Sequence, residues 1–103
     1  MIRGEPGTSF PAPFLYFRMP NSLRVKVLFF ASYADLLGRD EWESRFPIAS
    51  RVSDVVHRVR SELPKGDLMP ERPLVAQNQE HVRLDAMVHD GDEIAFLPPL
   101  AGG

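Results

Sequence analysis

The chain has 103 residues, a hydrophobic content of 44%, a charged content of 25% and a formal net charge of −2. This length and composition predict a single globular domain with a modest core. The near-neutral charge argues against nucleic acid or an anionic membrane as a partner, and no apolar run is long enough for a membrane span. The absence of cysteine excludes disulfides, thiolate metal ligands and a cysteine nucleophile, and it favours a cytoplasmic location.

Residues 1–21 differ in composition from the rest of the chain. They contain four prolines and two glycines and show no helical or strand periodicity. Pro11 and Pro13 interrupt the apolar stretch 10–17, which is therefore a poor signal-peptide core. We expect an N-terminal extension that is disordered or loosely attached, followed by a folded domain at 22–97 and a tail at 98–103. In one alternative Met19 is the natural start. In another, apolar side chains of the extension pack on the domain.

The stretch 23–30 (LRVKVLFF) alternates as a half-buried strand does. Its core-facing side chains are expected to be Val25, Val27 and Phe29. Leu28 and Phe30 then point outward, where polar residues would be expected. This outer face is therefore predicted to be a contact surface, unless the N-terminal extension covers it.

Two further elements follow this strand before the middle of the chain. A helical turn is predicted over 32–37, with Ser32 as its N-cap and Gly38 as a left-handed C-cap. Weak alternation over 41–46 predicts a second strand, antiparallel to the first.

The stretch 51–63 predicts the one long helix, because its apolar residues fall on a single stripe. Ser50 or Ser53 is predicted to cap the helix, and Pro64 to end it. Valine is a mediocre helix former, so packing against a sheet must hold this helix in place. The stripe consists of Val52, Val55, Val56, Val59 and Leu63.

The last third of the chain predicts short strands at 74–78 and 81–83 around a turn at 79–80. A strong turn signal at 89–92 then precedes a final strand at 93–97. Within it Ile94 and Phe96 are predicted to face the core, with Ala95 and Leu97 outward beside Leu28. This order of elements predicts an α+β fold, in which the first and last strands can pair at the centre of the sheet.

The residues after the last strand are predicted to end the sheet and to extend away from the domain. Pro98 and Pro99 have no N–H donors and stiffen the chain in an extended form. The sequence then closes on Gly102 and Gly103, which suit chemistry on a main-chain carboxylate because no Cβ obstructs an approaching reactant. Taken alone, a terminal diglycine is also compatible with a frayed end.

Two stretches resemble the molybdopterin synthase small subunit family: RVKVLFFASYADLLG at 24–38 and LVAQNQEHVRLDAMVHDGDEIAFLPPLAGG at 74–103. The resemblance implies the β-grasp, or ubiquitin-like, fold and a sulfur carrier in molybdenum cofactor biosynthesis. It implies that a ubiquitin-activating-enzyme-like adenylyltransferase uses ATP to adenylate Gly103. A sulfur donor then converts Gly103 to a thiocarboxylate, which supplies sulfur to precursor Z in the active site of the synthase large subunit.

The resemblance also implies roles for individual residues and an assembly. Gly103 bears the sulfur, Gly102 is its sterically required neighbour, and Leu100 and Ala101 line a channel of the large subunit. The chain itself is a non-catalytic subunit that binds no cofactor stably, and two copies join a dimer of large subunits in a heterotetramer. The implied interface, combined with the predicted outer face, comprises Leu28, Phe30, His81, Ala95 and Leu97.

The sequence gives little support for a metal site, a calcium loop or a catalytic motif. His57, His81 and His89 lack metal-ligand spacing, so no metal site is predicted. The acidic turn at 90–92 lacks the ligand series of a calcium loop, and no phosphate loop or nucleophile elbow is present. The alternatives that stay open are a carrier for thiamin synthesis or tRNA thiolation, a ubiquitin-like protein modifier, and a plain interaction module.

Overall fold

The computed structural model describes residues 22–99, which form a mixed five-stranded sheet and its helices. The predicted extension at 1–21, including Met19, and the tail residues 100–103 lie outside the described residues. The strands are β1 (Ser22–Phe29), β2 (Glu41–Pro47), β3 (Leu74–Gln77), β4 (Glu80–Val82) and β5 (Glu93–Leu97). The helices are α1 (Ala31–Leu37), α2 (Val52–Glu62) and a short 3₁₀ helix (Gly66–Leu68).

The first and last strands are parallel neighbours at the centre of the sheet. The strand order is β2-β1-β5-β3-β4, and β1 pairs in parallel with β5 and antiparallel with β2. β3 pairs antiparallel with both β5 and β4. Parallel strands need a long crossover between them, and α2 lies within this one. The arrangement confirms the predicted α+β class and the β-grasp topology.

The core lies between the inner face of the sheet and the helices. Val25 and Val27 are fully buried, as are Ile94 and Phe96, which confirms the inward residues predicted for both central strands. The rings of Phe29 and Phe96 meet edge to face with centroids 5.6 Å apart, a geometry favoured by the aromatic quadrupole. The predicted stripe of α2 joins this core through Val52, Val55, Val56 and Val59.

The start of α1 differs from the prediction, while its end agrees. Phe30 occupies the N-cap position, and no side chain caps the helix, so the assignment of Ser32 as N-cap was wrong. The helix begins one residue earlier than expected because the strand leads into it directly. Gly38 ends it in the left-handed conformation with φ 70°, and its N–H donates to the Ala34 carbonyl oxygen at 2.9 Å.

The first N–H groups of α2 donate to a distant loop rather than to a serine side chain. The N–H groups of Val52 and Ser53 donate to the carbonyl oxygens of Ala86 and Leu84, at 2.9 and 2.8 Å respectively. The Ser50 hydroxyl instead donates to the carbonyl oxygen of Pro47 at the end of β2. The predicted serine caps were therefore wrong, because a local capping rule cannot detect partners that lie more than thirty residues away along the chain.

The turn between β3 and β4 lies one residue earlier than predicted. Asn78 and Gln79 both have positive φ, 51° and 75°, and Gln77 pairs with Glu80 across the turn. Two consecutive left-handed residues give the twist that a two-residue hairpin needs.

Candidate docking face

A row of outward-facing side chains crosses four strands of the sheet. Leu28 of β1 pairs with Ala95 of β5, Ala95 pairs with Ala76 of β3, and Ala76 pairs with His81 of β4. Residues that are paired across strands point to the same face. The register therefore places Ala95 beside Leu28, as predicted, and brings His81 to the far end of the same row.

Further apolar side chains lie beside this row, toward the end of β5. Leu97 pairs with Leu74, and Phe30 follows the end of β1. Leu74 is 54% exposed and Phe30 45% exposed, whereas Leu28 and Leu97 are half-buried. We call this surface the outer apolar face, and it consists of Leu28, Phe30, Leu74, Ala76, Ala95 and Leu97.

The opposite end of the same sheet surface is charged. Lys26 pairs with Glu93 on one side and with Glu43 on the other, and Arg24 pairs with Arg45. The Arg24 guanidinium lies 3.7 Å from the Glu43 carboxylate in an exposed ion pair. The outward surface is therefore divided, and its apolar part is the end at which β5 leads into the tail.

The base of the tail borders a groove beside the outer apolar face. Pro98 is half-buried and Pro99 is exposed. The groove has a volume of about 670 Å³ and is lined by Ala31, Ser32, Leu74, His81, Leu97, Pro98 and Pro99. A second groove of about 760 Å³, with a more charged lining, shares Leu74 and His81 with it. The predicted site residues Leu100, Ala101, Gly102 and Gly103 lie outside the described residues.

A buried carboxylate fixes the start of β5. Asp92 is 7% exposed and accepts hydrogen bonds from the Gln77 amide at 2.6 Å, the Asn78 amide at 2.9 Å and the His89 N–H at 2.7 Å. Burial alone would raise the pKa of Asp92, but these hydrogen bonds and the nearby His89 imidazole outweigh it and lower the pKa. Asp92 thus ties the β3–β4 turn to the strand that carries the tail. The sequence had indicated only a turn here.

The other titratable residues considered from the sequence do not converge. His57 lies exposed on α2 and His89 lies exposed at the turn before β5. Within residues 22–99, no group of three or more His, Asp or Glu side chains is placed to hold a metal ion. None of the helices in this part of the chain is long and apolar enough to cross a membrane.

A mixed sheet with parallel first and last strands, crossed by one main helix, defines a ubiquitin-like β-grasp protein. The ThiS family model matches residues 27–103, and the chain belongs to that family.

Named relatives share most of the chain. The molybdopterin synthase sulfur carrier subunit of Haemophilus influenzae is 39% identical over 85 residues, covering 77% of this chain and 99% of that protein. The corresponding subunit of Escherichia coli is 37% identical over 81 residues, with the same coverage. Small archaeal modifier protein 3 of Haloferax volcanii is 26% identical over 92 residues, covering 79% of this chain and 100% of that protein.

Solved structures agree with the fold. Small archaeal modifier protein 1 of H. volcanii has a TM-score of 0.68 at 20% identity and covers 76% of this chain and 99% of its own. The complex of subunits 1 and 2 of the molybdopterin-converting factor of Helicobacter pylori contains a chain with a TM-score of 0.58 at 22% identity. The match covers 79% of this chain and 100% of that chain. At these identities the likeness concerns the fold alone.

Proposed function

We propose that this chain is the sulfur carrier subunit of a molybdopterin synthase and that Gly103 carries the sulfur. The observation that supports this most directly is the 37–39% identity to two sulfur carrier subunits over 99% of their length. The family match also extends through residues 102 and 103, the two positions at which the proposed chemistry takes place.

The proposed cycle begins at the main-chain carboxylate of Gly103. One carboxylate oxygen attacks the α-phosphorus of ATP on an adenylyltransferase partner, which expels pyrophosphate and forms an acyl-adenylate. A sulfur donor then displaces AMP and leaves a thiocarboxylate. Gly102 and Gly103 carry no side chain that would block either attack. The thiocarboxylate sulfur finally attacks a carbon of precursor Z and displaces an oxygen substituent, and water then hydrolyses the acyl–sulfur bond, which leaves the sulfur on the precursor and restores the Gly103 carboxylate for another round.

The described part of the chain supports presentation and docking in this scheme. Pro98 and Pro99 cannot donate to a sheet, so they favour a tail that leaves the domain rather than one that lengthens β5. The groove beside them and the outer apolar face offer apolar surface next to the base of the tail. We infer that the synthase large subunit buries this surface and provides the catalytic groups for sulfur transfer. The proposed assembly has two carriers on a dimer of large subunits.

A second candidate is a protein modifier of the ubiquitin kind, which the likeness to an archaeal modifier protein favours. A modifier would use the same activation of Gly103 but would form an isopeptide bond to a lysine of another protein. The two candidates differ only in what attacks the activated glycine.

Mass spectrometry tests the chemistry at Gly103. After incubation with an activating partner, ATP and a sulfur donor, we expect the mass gain of one oxygen-to-sulfur exchange. A variant with one alanine added after Gly103 is the control and should keep its mass. If the mass of the chain is unchanged under conditions in which the same partner thiolates the E. coli carrier, the proposal is wrong. Lysine-linked adducts in place of the thiocarboxylate would instead identify a modifier.

Binding to the large subunit tests the docking face. Leu97→Glu or Phe30→Glu should weaken the complex by more than about tenfold, since a charge would be desolvated at the interface. Leu68→Glu is the matched control, because Leu68 is 64% exposed and lies on the short 3₁₀ helix. Equal effects of all three substitutions would contradict the assignment of the outer apolar face.

A further inference from the structure

We propose that Arg58 closes the free edge of β2 and thereby prevents the chain from pairing, strand to strand, with a second copy of itself. β2 is the outermost strand on one side of the sheet, and within residues 22–99 no strand pairs with its other side. An uncovered edge presents unpaired N–H and C=O groups, to which another chain can add a strand. The inference goes beyond the proposed function and does not depend on it.

The pairing of β1 with β2 determines which backbone groups of β2 point outward. The Phe29 N–H donates to the Asp40 carbonyl oxygen at 3.0 Å, and hydrogen-bonded pairs alternate with non-bonded pairs along antiparallel strands. The even-numbered residues of 42–46 therefore bond to β1. The Lys26 N–H donates to the Asp92 carbonyl oxygen on the opposite side of β1 at 3.0 Å, as this alternation requires. We call the outward backbone groups the β2 edge, and they belong to Glu41, Glu43, Arg45 and Pro47.

One end of the β2 edge is closed by the turn that follows it. Pro47 has no N–H, and its carbonyl oxygen accepts from the Ser50 N–H at 3.2 Å and from the Ser50 hydroxyl at 2.7 Å. At the other end, the outward groups of Glu41 and Glu43 are covered by no strand of the described part of the chain. Whether a second strand can add to β2 therefore depends on Arg45, which lies between the two ends.

Arg58 reaches from α2 around the sheet to Arg45. Its Nη1 donates to the Arg45 carbonyl oxygen at 2.7 Å and to the Ser44 hydroxyl at 3.4 Å. The guanidinium lies over the Phe46 ring, 4.2 Å from its centroid, and its Nε lies 3.3 Å from the Glu62 carboxylate. An aromatic face and a carboxylate both stabilise a guanidinium, so the group is held against the β2 edge.

Arg45 is the position that a second copy would need. Two β2 strands related by a two-fold axis pair antiparallel, and only their outward residues can exchange hydrogen bonds. Two registers set a glutamate opposite Arg45, one with Glu41 and the other with Glu43. In both, the N–H of that glutamate must donate to the Arg45 carbonyl oxygen, where the Arg58 guanidinium already lies. Registers that avoid Arg45 set glutamate opposite glutamate, and like charges directly opposite each other are destabilising.

The test removes the guanidinium and measures the mass of the particle. In the full-length chain, Arg58→Met keeps an unbranched apolar stem on the Phe46 ring but has no donor. By light scattering we expect a wild-type monomer at every protein concentration, whereas the mass of Arg58→Met should rise with concentration toward about twice the monomer mass. Arg60→Met is the matched control and should stay monomeric, because Arg60 lies on the same helix but donates to the Met69 carbonyl oxygen at 2.8 Å.

Two further measurements locate the interface. Combining Arg58→Met with Glu41→Arg and Glu43→Arg should restore the monomer, because every register then sets arginine opposite arginine. In Arg58→Met alone, the Glu43 N–H should exchange with solvent more slowly at high than at low protein concentration, since both favourable registers use it. Urea unfolding should show that each variant is folded, and Arg58→Gln removes the guanidinium in a second way should the methionine variant not fold.

The opposite results overturn the proposal. Folded Arg58→Met and Arg58→Gln chains that stay monomeric would show that the guanidinium does not control the β2 edge. Equal association of Arg60→Met would assign the effect to the packing of α2 in general, and association that survives the charge reversal would place the interface elsewhere. A wild-type dimer would show that the edge is not closed. None of these measurements uses the large subunit or the activating partner, so their failure and the failure of the proposed function are distinguishable.

Discussion

Replacing Asp92 by asparagine keeps the shape of the side chain but removes its charge and one of its two acceptor oxygens. Oδ2 of Asp92 accepts from the Gln77 amide and the His89 N–H, and Oδ1 accepts from the Asn78 amide. In Asp92→Asn the new carbonyl oxygen can take the place of Oδ2 and keep its two partners. The new amide nitrogen then faces the Asn78 amide nitrogen, donor against donor. Asn78 cannot rotate without loss, because its own oxygen accepts from the Glu93 N–H at 3.0 Å.

The expected cost follows from these contacts. One charge-assisted hydrogen bond is lost, and such bonds contribute about 1.5–3 kcal/mol each. The bonds from Gln77 and His89 weaken because the acceptor is no longer ionised, whereas the exposed Asn78 can partly replace its lost partner with water. We expect Asp92→Asn to lower the free energy of unfolding by about 2 kcal/mol and Asp92→Ala by about 3 kcal/mol at pH 7.

The decrease in the free energy of unfolding caused by Asp92→Asn should depend on pH. Burial opposes ionisation of Asp92, but its hydrogen bonds prevail and its pKa in the folded protein is lowered. A carboxyl group whose folded pKa is lowered stabilises the fold above its unfolded pKa, about 3.9. This stabilisation is lost as the pH falls through the folded pKa. The difference in stability between wild type and Asp92→Asn should therefore be full at pH 7 and should shrink below about pH 4.

Urea unfolding at pH 7 and pH 3, followed by far-UV circular dichroism, measures both quantities. Asp90→Asn is the control, because Asp90 is exposed and accepts one hydrogen bond, from the Arg24 N–H at 2.8 Å. We expect its cost to be about 1 kcal/mol or less. The reasoning is refuted if Asp92→Asn is no more destabilising than Asp90→Asn at pH 7, or if its cost is as large at pH 3 as at pH 7.

Two further predictions concern stability and use the same assay. Gly66→Ala should cost about 2 kcal/mol or more, because a Cβ there would collide with the Val59 carbonyl oxygen. Gly91→Ala, at φ 86° in open space, should cost only about 1–2 kcal/mol from backbone strain, and a larger cost at Gly91 than at Gly66 would contradict the packing argument. Phe96→Ala should cost about 3–5 kcal/mol, since this ring is fully buried against Phe29. A cost under about 1 kcal/mol would mean that Phe96 is not central to the core.

The elements that the sequence predicted best are those in which local periodicity and burial agree. Alternation identified β1 and β5 and placed Val27 and Ile94 in the core, because a sheet with one covered face requires that pattern. The valine stripe identified α2 for the same reason. The start of α2 was mispredicted because the N–H groups of Val52 and Ser53 donate to carbonyls of a distant loop. Such partners exist only once the chain has folded.

The outer apolar face could be predicted only in part from the sequence. Leu28 and Leu97 were recognised as outward by alternation within their own strands. Leu74 and Ala76 were missed, although alternation around Val75 contained the signal. What no single strand indicates is that Ala76 lies beside Ala95, because this depends on how two strands far apart in sequence align. The roles of these residues in docking stay predictions until binding is measured.

The central position of β5 has a consequence for synthesis of the protein. β5 is the last strand to leave the ribosome, yet it hydrogen-bonds to both β1 and β3. Before β5 emerges, no strand connects the β1–β2 pair with the β3–β4 hairpin. The pairing of β5 with β1 also closes a long loop, and such pairing is slow. A chain released before residue 93 therefore lacks the strand that joins β1 to β3, as well as the tail that follows this strand. Under the proposed function, only completed chains would then compete for the activating partner.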